Sequence, residues 1–358
     1  MIKAFHMADL HLGSEFSHLD KSKAQVRKNE SRLSFLSQIN NAYDKGARVY
    51  FISGDLFETR PFLKEDMDIL EDTFSKHNDC KFFLCFGNHD YICDDDYTYF
   101  SEKFGDNVYI FNQEMGMYEF DEYRVYGISF CDVFQKSSLL DGFVAENDKK
   151  INIMVIHGDL TGTSKYNPIL NSMIEKSGLD YIALGHVHMY SGMNKAGNTF
   201  YCYPGTHEGK GFDELGEKGG IYLEMEKGRV NYEFVPGQIR KYVELHINAE
   251  GISNSSLLIS NIISAIREPK DLYKIIIEGE ISQDLIINAD AMVKTLEEYA
   301  FFVKIYDETQ LKINLDDYMG ESSLLGGFVR EVKEKLDSEP SEREHWMKVL
   351  KKGFQLLK

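Results

Sequence analysis

The chain has 358 residues, of which 43% are hydrophobic, and a formal net charge of −18. This length is enough for two domains with a sizeable core, and the acidic excess disfavours a general attraction to nucleic acid or anionic membranes. No stretch approaches the ~20 apolar residues of a membrane span, the N-terminus has no secretory signal pattern, and the five scattered cysteines form no CxxC pair. We therefore expect a cytoplasmic protein with reduced thiols and no zinc–cysteine site.

Short apolar runs alternate with helical patterns over the first 236 residues. The runs predict strands at residues 2–7, 48–52, 81–86, 124–128, 151–156 and 181–184. Helical spacing over residues 24–45 places Leu33, Leu36, Ile39 and Tyr43 on one side of a predicted helix. Strands separated by helices indicate an α/β layered domain. From about residue 198 to 234, shorter runs with Gly-rich turns predict antiparallel strands.

A domain boundary is predicted at Pro236-Gly237. The strands predicted at 241–247, 273–278 and 300–306, with helices between them, indicate a small α+β domain. The remaining tail is predicted to be helical, with two apolar faces. These faces are formed by Leu325, Phe328, Val329, Val332 and Leu336, and by Trp346, Val349, Leu350, Phe354 and Leu357. We therefore expect domains at 1–238 and 239–320, followed by a helical segment at 321–358.

Polar side chains of the kinds that bind metals stand where five of the predicted strands end. In chain order they are Asp9 and His11, Asp55, Asn88 and His89, His157, and His186 and His188. Ligands bind at the carboxyl ends of strands in open α/β sheets, so these loops can meet in one cleft. Carboxylates, an amide oxygen and neutral imidazoles suit two divalent ions ~3.5–4 Å apart. This oxygen and nitrogen set favours Mn²⁺, with Fe²⁺ and Zn²⁺ as alternatives, over Ca²⁺.

The stretches DLH, GDLF, GNHD, HGD and GHVH resemble the five motifs of the calcineurin-like metallophosphoesterase superfamily. The resemblance spans roughly residues 1–236 and implies a four-layer α/β/β/α sandwich, here followed by the α+β capping domain and the C-terminal helices. It implies that one metal is held by Asp9, His11, Asp55 and His188, and the other by Asp55, Asn88, His157 and His186, with Asp55 bridging. His89 would bind no metal and would protonate the leaving oxygen or stabilise the charged transition state.

Four further residues are candidates for supporting roles. Asp90 is expected to orient a neighbouring group. Asp159 either orients His157 or caps the following turn. His207, in a PGT turn of the kind that recurs in this superfamily after GHxH, either lines the cleft or belongs to a structural turn. Glu58 stands where some nucleases of the group carry a histidine that is thought to position DNA or the leaving group.

A narrower resemblance concerns the substrate. The stretch SGDLFETRPF, residues 53–62, and the passage after GHVH resemble DNA double-strand-break repair nucleases. The domain order is similar to that of the SbcD nuclease-subunit family and closer to YhaO-like exonucleases. This implies a metal-dependent DNA exonuclease or endonuclease acting in DNA repair. Related nucleases commonly dimerise through the phosphoesterase domain, so a homodimer is compatible with the resemblance, and the sequence leaves the oligomeric state open.

The resemblance also implies a partner, an SbcC-like coiled-coil ATPase that docks on the C-terminal helices. The alternative is that these helices pack on the protein's own core. Two other functions stay open: a phosphodiesterase acting on small nucleotides or other small phosphoesters, and an inactive scaffold. The ligand series argues against the scaffold, since unpaired carboxylates and imidazoles are costly to bury without a metal.

Overall fold

The computed structural model describes residues 1–283 and 285–357. The chain divides into two compact units, Met1–Ile239 and Arg240–Lys358. The elements of the first unit are, in chain order, β1 (Ile2–Met7), α1 (Lys21–Asp44), β2 (Val49–Ser53), α2 (Lys64–Lys76), β3 (Lys81–Cys85), α3 (Asp94–Lys103), β4 (Val108–Ile110), β5 (Gly116–Glu119), β6 (Tyr123–Ile128), β7 (Ile151–His157), α4 (Asn171–Lys176), β8 (Tyr181–Gly185), β9 (Asn194–Ala196), β10 (Thr199–Cys202), β11 (Gly219–Glu226) and β12 (Arg229–Pro236).

These strands form two six-stranded sheets. The first has the order β12-β11-β1-β2-β3-β4, and the second has the order β5-β6-β7-β8-β10-β9. Strands β1 to β4 are parallel to one another, and so are β6, β7, β8 and β10. The sequence predicts antiparallel strands after residue 198. This is right for the β11–β12 hairpin and for the pairing of β10 with β9, but on its other side β10 lies parallel to β8.

The two sheets are stacked between helices. Successive residues of a strand point to opposite faces, so each central strand contributes to two cores. Phe51 and Ala183 lie in the core shared by the two sheets. Phe35 of α1 lies in the outer core of the first sheet, and Leu184 packs with Ile174 of α4 in the outer core of the second. The unit is therefore the four-layer α/β/β/α sandwich that the sequence predicts.

Helix α1 buries part of the predicted face and a polar face beside it: Ile39 lies in the core and Tyr43 packs partly buried against it. Asp20 caps its N-terminus by accepting hydrogen bonds from the backbone N–H groups of the following turn. The side chain of Leu33 is 56% exposed. The buried residues of α1 are Arg27, Glu30, Ser31, Ser34, Phe35, Gln38, Ile39 and Ala42. The polar members of this face bond to the segment around His207, which is remote in sequence, and this is why apolar spacing did not reveal the face.

The elements of the second unit are β13 (Tyr242–Asn248), α5 (Ser255–Ala265), β14 (Leu272–Glu278), β15 (Glu280–Ser282), α6 (Ala289–Leu296), β16 (Phe302–Asp307), β17 (Gln310–Lys312), α7 (Leu324–Ser338) and α8 (Arg343–Leu357), with short 3-10 helices at Leu315–Tyr318 and Pro340–Glu342. Strands β13, β14 and β16 pair in parallel. Helix α5 connects the first two and α6 precedes the third. The structure therefore adds parallel βαβ connections to the predicted α+β domain.

The two C-terminal helices bury much of their apolar surface within the second unit. Val329, Val332 and Leu336 of α7 and Leu350 and Phe354 of α8 form one cluster, which also includes residues of β17 and of the short helix before α7. The exposed large apolar side chains of these helices, among the described residues, are Leu324, Leu356 and Leu357. Within the described ranges, the structure contains no helix of sufficient length and apolarity to traverse a bilayer.

Candidate metal centre

The candidate ligands converge at the carboxyl ends of five parallel strands that belong to both sheets. Asp9 and His11 follow β1, Asp55 follows β2, Asn88 follows β3, His157 ends β7, and His186 and His188 follow β8. Backbone hydrogen bonds align the first two loops: Asp9 N donates to Gly54 O at 3.1 Å, and His11 N donates to Asp55 O at 2.9 Å.

Several of these residues have a left-handed backbone. The φ angle is +52° at Asp9, +44° at His11, +51° at Asp55 and +114° at His186. Such conformations cost on the order of 1–3 kcal/mol each for residues other than glycine and cluster at functional sites. The surrounding hydrogen bonds therefore hold these turns in conformations that the residues do not prefer by themselves.

Glycines allow the strand ends to approach one another. A Cβ atom on Gly87 would lie 2.3 Å from Asp55 Oδ1, and one on Gly185 would lie 1.8 Å from the backbone oxygen of Ser53. Neither position has space for a methyl group. The carboxylate of Asp55 can reach its place in the centre only because residue 87 carries no side chain.

One group of ligands surrounds His11. Its Nε2 lies 3.1 Å from Nε2 of His188 and 3.7 Å from Oδ2 of Asp55. Asp9, His11 and His188 each offer one ligand atom, and these atoms lie within 4.8 Å of one another. The carboxylate of Asp9 also accepts the backbone N–H of His186, at 3.0 and 3.1 Å to its two oxygens.

A second group surrounds Asn88. Its Oδ1 lies 3.1 Å from His157 Nε2 and 3.2 Å from His186 Nδ1. Oδ2 of Asp55 is 3.4 Å from His157 Nε2, so this carboxylate adjoins both groups. The facing atoms in these groups carry more lone pairs than protons, because a carboxylate oxygen and an amide oxygen have no proton to donate. The donor set therefore fits divalent metal ions, and Asp55 adjoins both groups of donors.

Burial controls the protonation of the ligands. It lowers the pKa of His11 to about 4 and that of His186 to about 4, and it also lowers the pKa of His157. Burial, together with the charge of Asp55, raises the pKa of Asp9 well above its usual range. Burial also opposes ionisation of Asp55, but the neighbouring imidazoles outweigh it and lower the pKa. The imidazoles of His11, His157 and His186 are therefore neutral near pH 7, as metal binding requires.

His89 lies at the edge of the centre, with its side chain 40% exposed. Its backbone N–H donates to Asp55 Oδ1 at 2.9 Å, and its Nδ1 lies 3.1 Å from the carbonyl oxygen of Glu58. A carbonyl oxygen only accepts, so Nδ1 carries a proton in this contact and Nε2 remains for proton exchange. Nδ1 is also 3.6 Å from Glu58 Oε1. His11, Glu58 and His89 offer a further set of ligand atoms within 4.8 Å.

Asp90 connects the loops after β2 and β3. Its Oδ1 accepts Gly87 N at 2.7 Å, and its Oδ2 accepts Leu56 N at 2.6 Å and Phe57 N at 3.3 Å. Burial, with a further effect from the charge of Asp55, raises the pKa of Asp90 to about 8. The groups that Asp90 contacts are therefore backbone N–H groups of two loops.

Two other supporting candidates form hydrogen bonds with backbone groups. Asp159 accepts Thr161 N at 2.8 Å, which is the turn-capping arrangement. His207 is buried, and its Nε2 lies 2.9 Å from the backbone oxygen of Ser31 in α1. Burial lowers the pKa of His207 to about 4. His207 thus bonds to a helix, as in the structural alternative.

The sequence patterns did not identify several groups that contact the ligands. Glu214 Oε1 lies 2.6 Å from His188 Nδ1, and Asn167 Nδ2 donates to the backbone oxygen of His157 at 2.7 Å. The Nζ of Lys210 lies 3.5 Å from Glu58 Oε2. These residues stand in irregular segments without periodicity, so no local signal identifies their contacts.

Two known proteins are similar to parts of this chain. A protein of Bacillus subtilis (strain 168), described as uncharacterized metallophosphoesterase YhaO, is 29% identical over 248 residues, which are 64% of this chain and 59% of that protein. The chain therefore spans about 59% of the length of this curated relative. The crystal structure of TT1561 of Thermus thermophilus is similar with a TM-score of 0.41 at 10% identity, covering 65% of this chain and 98% of that one.

The family model described as calcineurin-like phosphoesterase matches residues 2–190, more than half of the chain. Members of this family use divalent metal ions in phosphoester hydrolysis. The ligand groups described above lie on loops that the match includes. The chain therefore belongs to the calcineurin-like phosphoesterase family.

Proposed function

We propose that this protein is a dinuclear metal-dependent phosphodiesterase that cleaves DNA as an exonuclease in DNA repair. The observation that carries the hydrolytic part is the placement of Asp55 between two imidazole groups, with His89 at their edge. The resemblance of residues 53–62 to repair nucleases supports DNA as the substrate. Cleavage of single strands from an end and cleavage within a duplex are both compatible with this centre.

The ligands divide between two ions. Asp9, His11, Asp55 and His188 would hold one, and Asp55, Asn88, His157 and His186 would hold the other. When bound, the ions supply water activation and neutralise the charge that develops on the phosphoryl oxygens. We propose Mn²⁺ for both sites, because the ligand set contains oxygen and nitrogen and no thiolate; Fe²⁺ and Zn²⁺ are the alternatives.

His89 is proposed as the acid. Glu58 holds its Nδ1 through the backbone oxygen at 3.1 Å, so Nε2 is the atom that delivers a proton to the leaving oxygen. The backbone N–H of His89 fixes Asp55 at the same time. One residue therefore contributes to both the proton transfer and the placement of the bridging carboxylate.

A partner is proposed to supply much of the affinity for DNA. DNA binding depends mainly on lysine and arginine side chains that neutralise phosphates, and the chain carries a net charge of −18. Four lysines of the C-terminal helices offer less positive charge to DNA than their number suggests, because Lys333, Lys335, Lys348 and Lys351 each pair with a carboxylate. We propose an SbcC-like coiled-coil ATPase on the C-terminal helices, and a homodimer through the first unit.

A small phosphoester is the second candidate substrate. The acidic surface charge favours it, since a small substrate needs only the metals and a few side chains. An inactive scaffold is the weakest candidate, because the buried carboxylates of the centre would remain uncompensated.

The test is Mn²⁺-dependent cleavage of end-labelled linear DNA, single- and double-stranded, beside bis-p-nitrophenyl phosphate. The His157→Ala variant is the control, since it removes a ligand. DNA cleavage that this variant lacks would establish the nuclease, and the label pattern would give its polarity. Turnover of the diester with intact DNA, persisting after a coiled-coil ATPase is added, would instead establish the small substrate. No metal-dependent turnover of either substrate would refute the proposal.

A further inference from the structure

His11 and His188 belong to a closed ring of five side chains. His11 Nδ1 lies 3.2 Å from Glu58 Oε2, and Lys210 Nζ lies 3.5 Å from that same oxygen. Lys210 Nζ is also 4.0 Å from Glu214 Oε1, which lies 2.6 Å from His188 Nδ1. The ring closes where the Nε2 atoms of the two histidines face each other at 3.1 Å.

The segment between β10 and β11 provides much of this ring. Glu214 is buried, and its Oε2 accepts the backbone N–H of Lys210 at 2.8 Å. Lys218, also buried, donates from Nζ to the backbone oxygen of His188 at 2.9 Å. His188 is therefore held at its ring and at its carbonyl group by the same segment.

The hydrogen bond to Glu214 fixes which nitrogen of His188 faces the centre. A neutral imidazole whose Nδ1–H donates to a carboxylate presents a lone pair at Nε2. In His188 this lone pair lies 3.1 Å from Nε2 of His11. Among the described residues, the Nδ1 atom of His11 has no hydrogen-bond partner, although it lies 3.2 Å from Glu58 Oε2. Glu214 is therefore the carboxylate that orients this pair, and without it the ring of His188 could turn. By contrast, the Nδ1 atom of His157 faces only a backbone oxygen, that of Ser53, at 3.0 Å.

We propose that Glu214 is a positioning residue for the metal ion that His11 and His188 share, and that Lys210 keeps Glu214 and Glu58 in place together. This inference rests on the proposed function, because it concerns the same metal centre. It assigns a role to a segment that lies beyond residues 2–190, the range that the family model matches. The role is to raise metal affinity rather than to touch the substrate.

The test is calorimetric titration of the metal-free full-length protein with Mn²⁺ alone. We expect Glu214→Ala to weaken one of the Mn²⁺ binding steps by about 10–100-fold, the usual effect of losing a carboxylate partner of a metal-bound histidine. The Mn²⁺ affinity of Glu214→Gln should lie between those of the wild type and Glu214→Ala. Its amide oxygen can accept from either His188 Nδ1 or Lys210 N, but not from both in the present arrangement. Lys210→Met should cause a smaller loss than Glu214→Ala.

Asp213→Asn is the matched control. It removes the same charge from an exposed neighbouring position, so it should bind Mn²⁺ like the wild type. Wild-type affinity in Glu214→Ala would overturn the inference, and so would an equal loss in Asp213→Asn. If circular dichroism shows that Glu214→Ala does not fold, the Mn²⁺ affinities of Glu214→Gln and Asp213→Asn are compared instead. Equal affinities of these two variants would overturn the inference. A wild-type protein that binds no Mn²⁺ would refute the metal centre itself and this inference with it, whereas normal wild-type binding with no effect of Glu214 would refute only the positioning role.

Discussion

Arg27 offers a sharp test of how α1 is attached to the segment that carries His207. Its side chain is fully buried. Nη1 donates to Glu30 Oε2 at 2.7 Å, and Nη2 donates to Glu208 Oε1 at 2.7 Å and to Gly209 O at 3.0 Å. The cation therefore joins the helix to the segment that carries His207. The substitution Arg27→Met removes the charge and keeps most of the length of the side chain.

The expected loss follows from the burial of the carboxylates. Removing one member of a buried ion pair typically costs about 3–5 kcal/mol, because the other charge stays buried without its partner. Glu208 is 2% exposed, so we expect Arg27→Met to lower the free energy of unfolding by about this amount. For a unit of this size, the loss corresponds to a fall of roughly 6–20 °C in melting temperature. Adding Glu208→Gln should recover part of it, since the second substitution removes the stranded charge.

The assay is urea unfolding followed by circular dichroism, in EDTA so that metal binding does not contribute. Arg229→Met is the control, because Arg229 is an exposed strand residue whose loss should change the free energy of unfolding by no more than about 0.5 kcal/mol. A loss below about 1 kcal/mol in Arg27→Met, or a double variant less stable than the sum of the two single losses, would refute this account of the buried cation.

Three further predictions concern the centre and its surroundings. His89→Ala should lower the rate of hydrolysis by about 10²–10⁴-fold and retain the metals; an empty site by metal analysis would contradict the proposed division of roles. Gly87→Ala should abolish metal binding, because its Cβ would lie 2.3 Å from Asp55 Oδ1, whereas Gly320→Ala, with nothing within 4 Å, should bind metal normally; equal binding by both would contradict the close approach. The pKa of His207 falls from 6.5 to about 4 on folding, so its neutral form contributes stability above pH 6.5 that is lost as the pH falls towards 4, about 3 kcal/mol in all. His207→Gln should therefore flatten the dependence of metal-free unfolding on pH in that window, and an unchanged slope would show that another group titrates there.

Much of the first unit could be predicted from its sequence, because its central strands are buried on both faces. A strand such as β8 reads as a continuous apolar run. Five of the predicted strands end at or just before the polar residues of the centre. The predicted starts and ends of these strands differ from the observed ones by one residue or less. The pairing of β10 with β8 was not predictable in this way, because the sequence of a short strand does not indicate which strand it pairs with.

The parts that the sequence did not reveal depend on contacts between distant segments. The buried face of α1 is polar because Gln38 and Ser34 bond to the backbone oxygen of His207, which is more than 160 residues away in the chain. The contact of Glu214 with His188 likewise joins two irregular segments. Hydrophobic periodicity predicts which side of an element faces an apolar core, but it does not identify buried polar faces of this kind.

The position of the ligands on two different sheets has a consequence for distant substitutions. His157, His186 and His188 move with one sheet, whereas Asp9, His11, Asp55 and Asn88 move with the other. A small slide of one sheet past the other would therefore change the distances between ligands without altering any ligand. Metal affinity should therefore depend on how the two sheets pack. A substitution that creates a cavity at Val125 or Phe51, in the shared core, should weaken metal binding in a protein that is still folded.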